Sequence, residues 1–403
     1  MSGAKNAALP ILAASLLLEA RSEITNVPAL TDVEVMLSVL RSLGVRAERE
    51  GDRLGIDTTA VHPGSASYEN VRRMRAAMLV LAPMLARFGT ASISRPGGCT
   101  IGSRPINEHL GALRSLGADV REEGGTVHAT TSGLKGARIS LGVPSVGATH
   151  TAIMASCAAS GETEIVNCAM EPEVGDLIAF LRAAGATIEG EGTSQILVQG
   201  STQWTPTQHA LIPDRIEAGS YLIASAITGG RLEVIGARLE HLGSLIGSLE
   251  RAGVSVFPTS RGLVAERLGE LRAVDVSTDA YPGFPTDLQA QFMALMSVAN
   301  GVSVIEEKVF ENRLMHVAEL QRLGACIRLS GQVATIEGIS TLRGASVEAT
   351  DLRASMGLVI AGLAAKGTTT LYGADHLDRG YVDLVRKLRR CGAHIDRTEG
   401  GRA

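Results

Sequence analysis

A short phrase returns six times along this chain, each time at the end of a helical pattern, and no other feature limits the fold as much. It reads Leu40-Arg-Ser-Leu-Gly44-Val, Leu113-Arg-Ser-Leu-Gly117-Ala, Leu181-Arg-Ala-Ala-Gly185-Ala, Leu249-Glu-Arg-Ala-Gly253-Val, Leu320-Gln-Arg-Leu-Gly324-Ala and Leu388-Arg-Arg-Cys-Gly392-Ala. From Gly44 to Gly392 the glycines of the phrase are close to evenly spaced. Glycine after a helical run marks a left-handed cap, and the β-like residues beyond it, such as Thr187-Ile188 and Cys326-Ile327, mark a strand. A near-constant period of this kind means one supersecondary unit used six times.

Upstream of five of these glycines, at a similar distance each time, stands another: Gly89, Gly161, Gly229, Gly301 and Gly367. Each is expected to close an apolar helix, over Met74–Phe88, Ala148–Ser160, Ile216–Thr228, Leu288–Asn300 and Leu352–Lys366. These runs lack a polar face, so the helices are buried on every side. Each unit therefore reads strand, buried helix, strand, surface helix, then one or two strands. Counted from the buried helix, units begin near Lys5, Arg75, Ser145, Asp214, Asp287 and Asp351. The last unit stays shorter than the others even when the residues before Lys5 are added to it. A strand or two preceding Ser2 is thus expected to be missing.

Composition narrows the function. Aromatic content of 3% leaves little surface for stacking bases or glycans, and a net charge of −4 gives no global field for nucleic acid. Five cysteines without a CxxC, odd in number, point to free thiols in a reducing cytoplasm rather than a disulfide framework or zinc site. The apolar run Ala7–Leu18 after Lys5 resembles a signal peptide but is too short to span a bilayer. Its recurrence down the chain makes it a core helix. No P-loop, no GxGxxG opening a helix and no HExxH is present, so neither metal nor cofactor is expected. No oligomeric state is specified.

Two features point to chemistry. The segment Arg95-Pro-Gly-Gly-Cys99-Thr-Ile-Gly-Ser-Arg104-Pro-Ile crowds three glycines and two prolines into one short run, which excludes a helix or interior strand. Cys99 lies between Arg95 and Arg104, and cations lower a thiol's pKa. A small side chain buried in a tight turn is the alternative. The second feature is the set of helix starts. Those of the buried helices carry Lys5-Asn6, Arg75, Ser145-Val-Gly147, Asp214-Arg215, Asp287 and Asp351-Leu-Arg353. Those of the surface helices carry the Cys99 segment, Glu171-Pro-Glu173, Glu311-Asn-Arg313 and Asp378-Arg379-Gly380. Helix N-termini attract anions. Unmatched cations there suggest a polyanionic substrate bearing phosphate and carboxylate; local ion pairing is the plainer reading.

Ser2-Gly-Ala-Lys-Asn-Ala-Ala-Leu-Pro10, Arg95 to Pro105, Ser145-Val-Gly-Ala-Thr149, Pro213-Asp-Arg-Ile-Glu217, Phe284-Pro-Thr-Asp-Leu-Gln-Ala-Gln-Phe292, Phe310-Glu-Asn-Arg-Leu-Met-His316, Thr350-Asp-Leu-Arg-Ala354 and Asp378-Arg-Gly-Tyr381 together resemble the UDP-N-acetylglucosamine 1-carboxyvinyltransferase family. The resemblance runs from Ser2 to about Asp396. It implies an inside-out α/β barrel of two domains, each of three βαβαββ repeats with buried central helices, here residues 5–213 and residues 1–4 with 214–403. It implies transfer of an enolpyruvyl group from phosphoenolpyruvate to the sugar 3′-hydroxyl, with release of phosphate, the first committed step of peptidoglycan synthesis. By motif position Cys99 resembles the acid, and a site of covalent phosphoenolpyruvate adduct, while Asp287 resembles the base. Lys5, Arg104 and Arg379 match groups that hold phosphoenolpyruvate, Lys5 and Arg379 counting also as catalytic. Asn6, Arg75, Pro105, Ile106, Asn107, Glu108, Ser145, Val146, Gly147, Val309, Arg313 and Arg353 match the lining of the substrate site. The partners implied are these two substrates, with neither nucleic acid nor membrane. Closure of the two domains with the Cys99 segment as a lid is also implied.

One position departs from the family pattern: Asn107 stands where Asp is usual, beside the uracil. The amide keeps an acceptor, adds a donor and loses the charge. A paralogue acting on another uridine nucleotide fits that change. The shikimate-pathway transferase shares the fold but lacks the Cys segment. A shortened UDP-sugar sensor without activity is the reading from outside enzymology.

Overall fold

The computed structural model describes residues 1–63, 65–66 (main chain only), 74–95, 101–102, 105–201 and 203–398. The chain divides by contacts into two units. One comprises Ser2–Cys99 and Ser103–Pro213; the other comprises Met1, Thr100–Gly102 and Asp214–Ala403. Of the residues before Lys5, then, only Met1 groups with the second unit. Ala4 N–H donates to Ile212 O at 2.8 Å inside the first.

The first unit is built from three small sheets. In each, three antiparallel strands carry one further strand in parallel at the edge. Arg138–Ser140 runs parallel to Glu162–Val166. Ser65–Ala66 runs parallel to Thr90–Ser94. Gln208–Ala210, at the end of the unit, returns to run parallel to Arg21–Thr25 of the first repeat, closing the set of three. The second unit repeats the plan less completely. Val276–Ser277 joins Val302–Glu306 in a four-stranded sheet, but the sheet of Arg231–Ile235, Gly262–Arg267 and Val254–Pro258 has three strands. The sixth has two, Ser346–Glu348 and Thr370–Tyr372. The Met1 ammonium donates to Ile235 O at 2.6 Å on the edge of the three-stranded sheet.

Among the described residues six helices form the buried set: α1 (Lys5–Ala14), α2 (Leu81–Phe88), α3 (Val146–Ser156), α4 (Arg215–Thr228), α5 (Gln289–Met296) and α6 (Leu352–Ala364). Every residue from Ala148 to Ser156 is buried, as is every residue from Arg215 to Ile227. Helices α4, α5 and α6 pack on one another as the centre of the second unit. Gly357 makes the closest approach possible, since a Cβ there would lie 2.9 Å from the Ala290 carbonyl of α5. None of these helices is long and apolar enough to cross a membrane, nor is any other among the described residues.

The glycine phrase behaves as its pattern requires. Gly44, Gly117, Gly185, Gly253, Gly324 and Gly392 all have φ between +89° and +106°. The upstream glycines also have positive φ, yet only Gly89 and Gly229 cap their helices directly. The runs expected to reach Ser160, Asn300 and Lys366 stop sooner, at Ser156, Met296 and Ala364. The reason is shared: Ser160, Asn300 and Lys366 form parallel bridges with Lys135, Arg272 and Arg343, which draw the chain out of the helix before the glycine. Two helices also begin as 3-10 turns, Arg75–Val80 before α2 and Thr286–Leu288 before α5.

Candidate active site

Cys99 and Arg104 lie outside the described residues. Arg95, expected beside Cys99, pairs with Glu122 at 3.4 Å. The other four cysteines are free, and burial pushes the Cys157 thiol up to about 12 and Cys168 up to about 11, which leaves both as inert core groups.

In the first unit, Lys5 and Asn6 open α1, both half-buried, and the Lys5 ammonium lies 3.4 Å from the Asp32 carboxylate. Arg75 opens its 3-10 turn and donates to Pro105 O at 3.0 Å, which ties it to the segment running into helix Asn107–Ser115. Within that segment Pro105 is exposed and Ile106 buried. Asn107 is exposed at the first helical position, and Glu108 accepts the Gly142 N–H at 2.8 Å. Ser145 caps α3 by accepting the Ala148 N–H at 3.3 Å, with Val146 and Gly147 half-buried after it. Gly147 is needed for space: a Cβ would meet the His109 ring at 2.9 Å, and that ring is fixed by a 2.8 Å bond between Nδ1 and Thr151 Oγ1.

In the second unit, Asp287 is the centre of a tight cluster. Its Oδ1 accepts from Arg313 Nη2 at 2.7 Å, and its Oδ2 accepts from Arg353 Nε at 3.2 Å, with Arg353 Nη2 in ion-pair contact at 3.0 Å. Both guanidinium groups are buried, at 6% and 4% exposure, while the carboxylate retains 25%. Burial opposes the Arg353 charge, but Asp287, with Tyr381 and Asp214, outweighs it and holds the pKa above its ordinary value. The Arg353 guanidinium also lies 5.7 Å from the Tyr381 ring centroid. Arg379 ends the 3-10 turn Ala374–Arg379, which packs against α6. Val309 is exposed, and its N–H donates to Glu307 at 2.9 Å.

The expectation of unmatched cations at the helix starts is therefore corrected. Lys5, Arg313 and Arg353 all have carboxylate partners, and Arg75 has a backbone carbonyl. A cation beside helix N–H groups raises the local positive potential, and a neighbouring carboxylate offsets it. At Asp287 two guanidinium groups share one carboxylate. Sequence reading missed the supports: Asp32, Thr286, Glu307 and Tyr381. Thr286 and Tyr381 lie within the family motifs, but Glu307 is one of three glutamates in Ile305-Glu-Glu-Lys-Val-Phe-Glu311 and carries no local mark.

Residues 1–388 match the model of the EPSP synthase family (3-phosphoshikimate 1-carboxyvinyltransferase), and the chain belongs to that family. Within it, the chain is 56% identical over 398 residues to UDP-N-acetylglucosamine 1-carboxyvinyltransferase 2 of Mesorhizobium japonicum, covering 98% of this chain and 95% of that protein. It is 50% identical over 401 residues to UDP-N-acetylglucosamine 1-carboxyvinyltransferase of Gluconacetobacter diazotrophicus, with 98% and 95% covered. Among solved structures it is similar to the enolpyruvyl transferase NikO from Streptomyces tendae, with a TM-score of 0.87 and 27% identity over 98% of this chain and 95% of that one. EPSP synthase from Acinetobacter baumannii shares the fold at a TM-score of 0.76 and 19% identity, over 99% and 96%.

Proposed function

We propose that this chain transfers the enolpyruvyl group of phosphoenolpyruvate to the 3′-hydroxyl of UDP-N-acetylglucosamine and releases phosphate, as the first committed step of peptidoglycan synthesis in the cytoplasm. The observation that carries the reading is the 56% identity over nearly the whole length to a relative of that name. The Asp287 cluster gives it chemical support. A carboxylate held by two buried guanidinium groups stays ionised, as a general base must be. Its remaining exposure leaves it open to an incoming hydroxyl.

The reaction is addition followed by elimination. The sugar 3′-oxygen bonds to C2 of phosphoenolpyruvate as Asp287 takes the hydroxyl proton. Cys99 gives a proton to C3, turning the methylene into a methyl group. The tetrahedral ketal then loses phosphate from C2 and a proton from the methyl group, which restores the double bond. Lys5, Arg104 and Arg379 stabilise the charge on phosphate and carboxylate through both steps. Asn6, Arg75, Ser145, Val146, Gly147 and Val309 contribute to holding the nucleotide sugar or the ketal, with Arg313 and Arg353 fixing the base.

Asn107 favours a second reading. It is exposed at a helix start, where the family usually carries a carboxylate, so a different uridine nucleotide is the alternative acceptor. Phosphate release from phosphoenolpyruvate tests both. Release that requires UDP-N-acetylglucosamine, and that is lost in Cys99→Ser and Asp287→Asn, supports the first reading. Release only with another uridine nucleotide supports the second, and no release with any refutes both.

A further inference from the structure

Glu307 is fully buried and its carboxylate is saturated with donors. Oε1 accepts from Thr278 Oγ1 at 2.9 Å and from the N–H groups of Val309 at 2.9 Å and Phe310 at 3.1 Å. Oε2 accepts from Thr286 Oγ1 at 2.9 Å. Thr286 immediately precedes Asp287, and its oxygen in turn accepts from Arg313 Nη1 at 2.8 Å. Arg313 turns its other nitrogen, Nη2, to Asp287. The chain of bonds has one direction: Arg313 donates to Thr286, and Thr286 donates to Glu307. A hydroxyl has one proton to donate, and with Arg313 donating to its oxygen Thr286 turns that proton to Glu307, which fixes the orientation of the hydroxyl between them.

We propose that Glu307 is a positioning residue for the reaction. Through Thr286 it fixes Arg313 against the base Asp287, and through the Val309 and Phe310 N–H groups it sets the backbone that presents Val309 to the nucleotide sugar. A carboxylate is required because every one of its four neighbours is a donor. The inference rests on the proposed role of Asp287 and extends it to a residue that touches no substrate.

Glu307→Gln is the sharpest probe, since it changes one atom. With its oxygen left toward Thr278, Val309 and Phe310, the amide N–H groups face Thr286, and the hydroxyl loses its acceptor. Arg313 then shares the Thr286 oxygen with a second donor and loosens from Asp287. The expected result is a fall in kcat of about tenfold or more. It comes with an upward move of the acid limb of the pH profile by a fraction of a unit to about one unit, as one of the two guanidinium groups, Arg313 but not Arg353, withdraws from Asp287. Thr286→Ala breaks the same relay and should give the same shift, and the double variant should add little to either single one. Loss of packing alone lowers the amount of active enzyme without moving the profile.

An unchanged acid limb in both single variants, with Asp287→Asn inactive, overturns the inference and leaves the proposed reaction standing. Additive effects in the double variant overturn it as well. Full turnover in Asp287→Asn overturns the base assignment and this inference with it.

Discussion

Replacing Asp287 with Ala removes the partner of two buried cations at once. Arg313 keeps its bond to Thr286, and Arg353 keeps its place beside the Tyr381 ring, but neither retains this carboxylate. Stripping one partner from a buried pair costs about 3–5 kcal/mol, chiefly because the other charge stays desolvated. The open quarter of the Asp287 surface admits water where the carboxylate stood, which keeps the loss within that range although two bridges break. For a unit of this size each kcal/mol is worth roughly 2–4 °C, so the transition of the second unit should fall by roughly 6–20 °C. Urea and thermal melting of Asp287→Ala measure this directly. The double variant Asp287→Ala/Arg353→Met should recover part of the loss, because it removes a cation left without its counter-charge. Inorganic phosphate should raise the melting temperature of Asp287→Ala more than that of the parent, since the two guanidinium groups then face an anion without a competing carboxylate. A loss below about 1 kcal/mol, with the double variant simply additive, refutes the view that Asp287 anchors the two arginines.

Three further outcomes are expected. Gly357→Val places a side chain against the α5 backbone at Ala290, which cannot yield as a flexible side chain would. It should destabilise the second unit by about 1–3 kcal/mol in urea melts, and a neutral result would refute the close packing of α5 on α6. His150 is buried, and that burial lowers its pKa to about 3 from an unfolded value of 6.5. Between those values the unfolded chain binds a proton that the native chain refuses. Stability is therefore full above the unfolded value and falls by about 1.4 kcal/mol per unit as pH drops through that window. Urea midpoints measured above and within that window should differ accordingly, and His150→Gln should flatten the difference; an equal slope in the variant refutes the assignment. Finally, alkylation of Cys99 followed against pH should show a higher thiol pKa with inorganic phosphate bound than without it, because the added anion opposes thiolate formation. Coincident titrations would refute anion-dependent protonation of the acid.

The sequence by itself determined the repeat. Glycine alone tolerates a φ this far into the positive region without strain, so Gly44 to Gly392 announced six helix ends, and apolar runs without a polar face announced buried helices. The match to the family motifs likewise singled out Lys5, Asp287 and Arg353, at helix starts where charge recurs from unit to unit. What only the tertiary structure decided was which charge meets which. Asp287 is separated from Arg313 by 26 residues and from Arg353 by 66, and no local pattern encodes that one carboxylate holds both arginines. Where the helices give way to turns was also hidden, because the bridges from Ser160, Asn300 and Lys366 reach partners well back along the chain, at Lys135, Arg272 and Arg343. Glu307 is the clearest instance. In sequence it is one acid among several beside a lysine, and by composition it belongs on a surface. Burial becomes tolerable only when Thr278, Thr286 and two backbone N–H groups converge on it, and that convergence is a property of the packed chain rather than of any stretch of it.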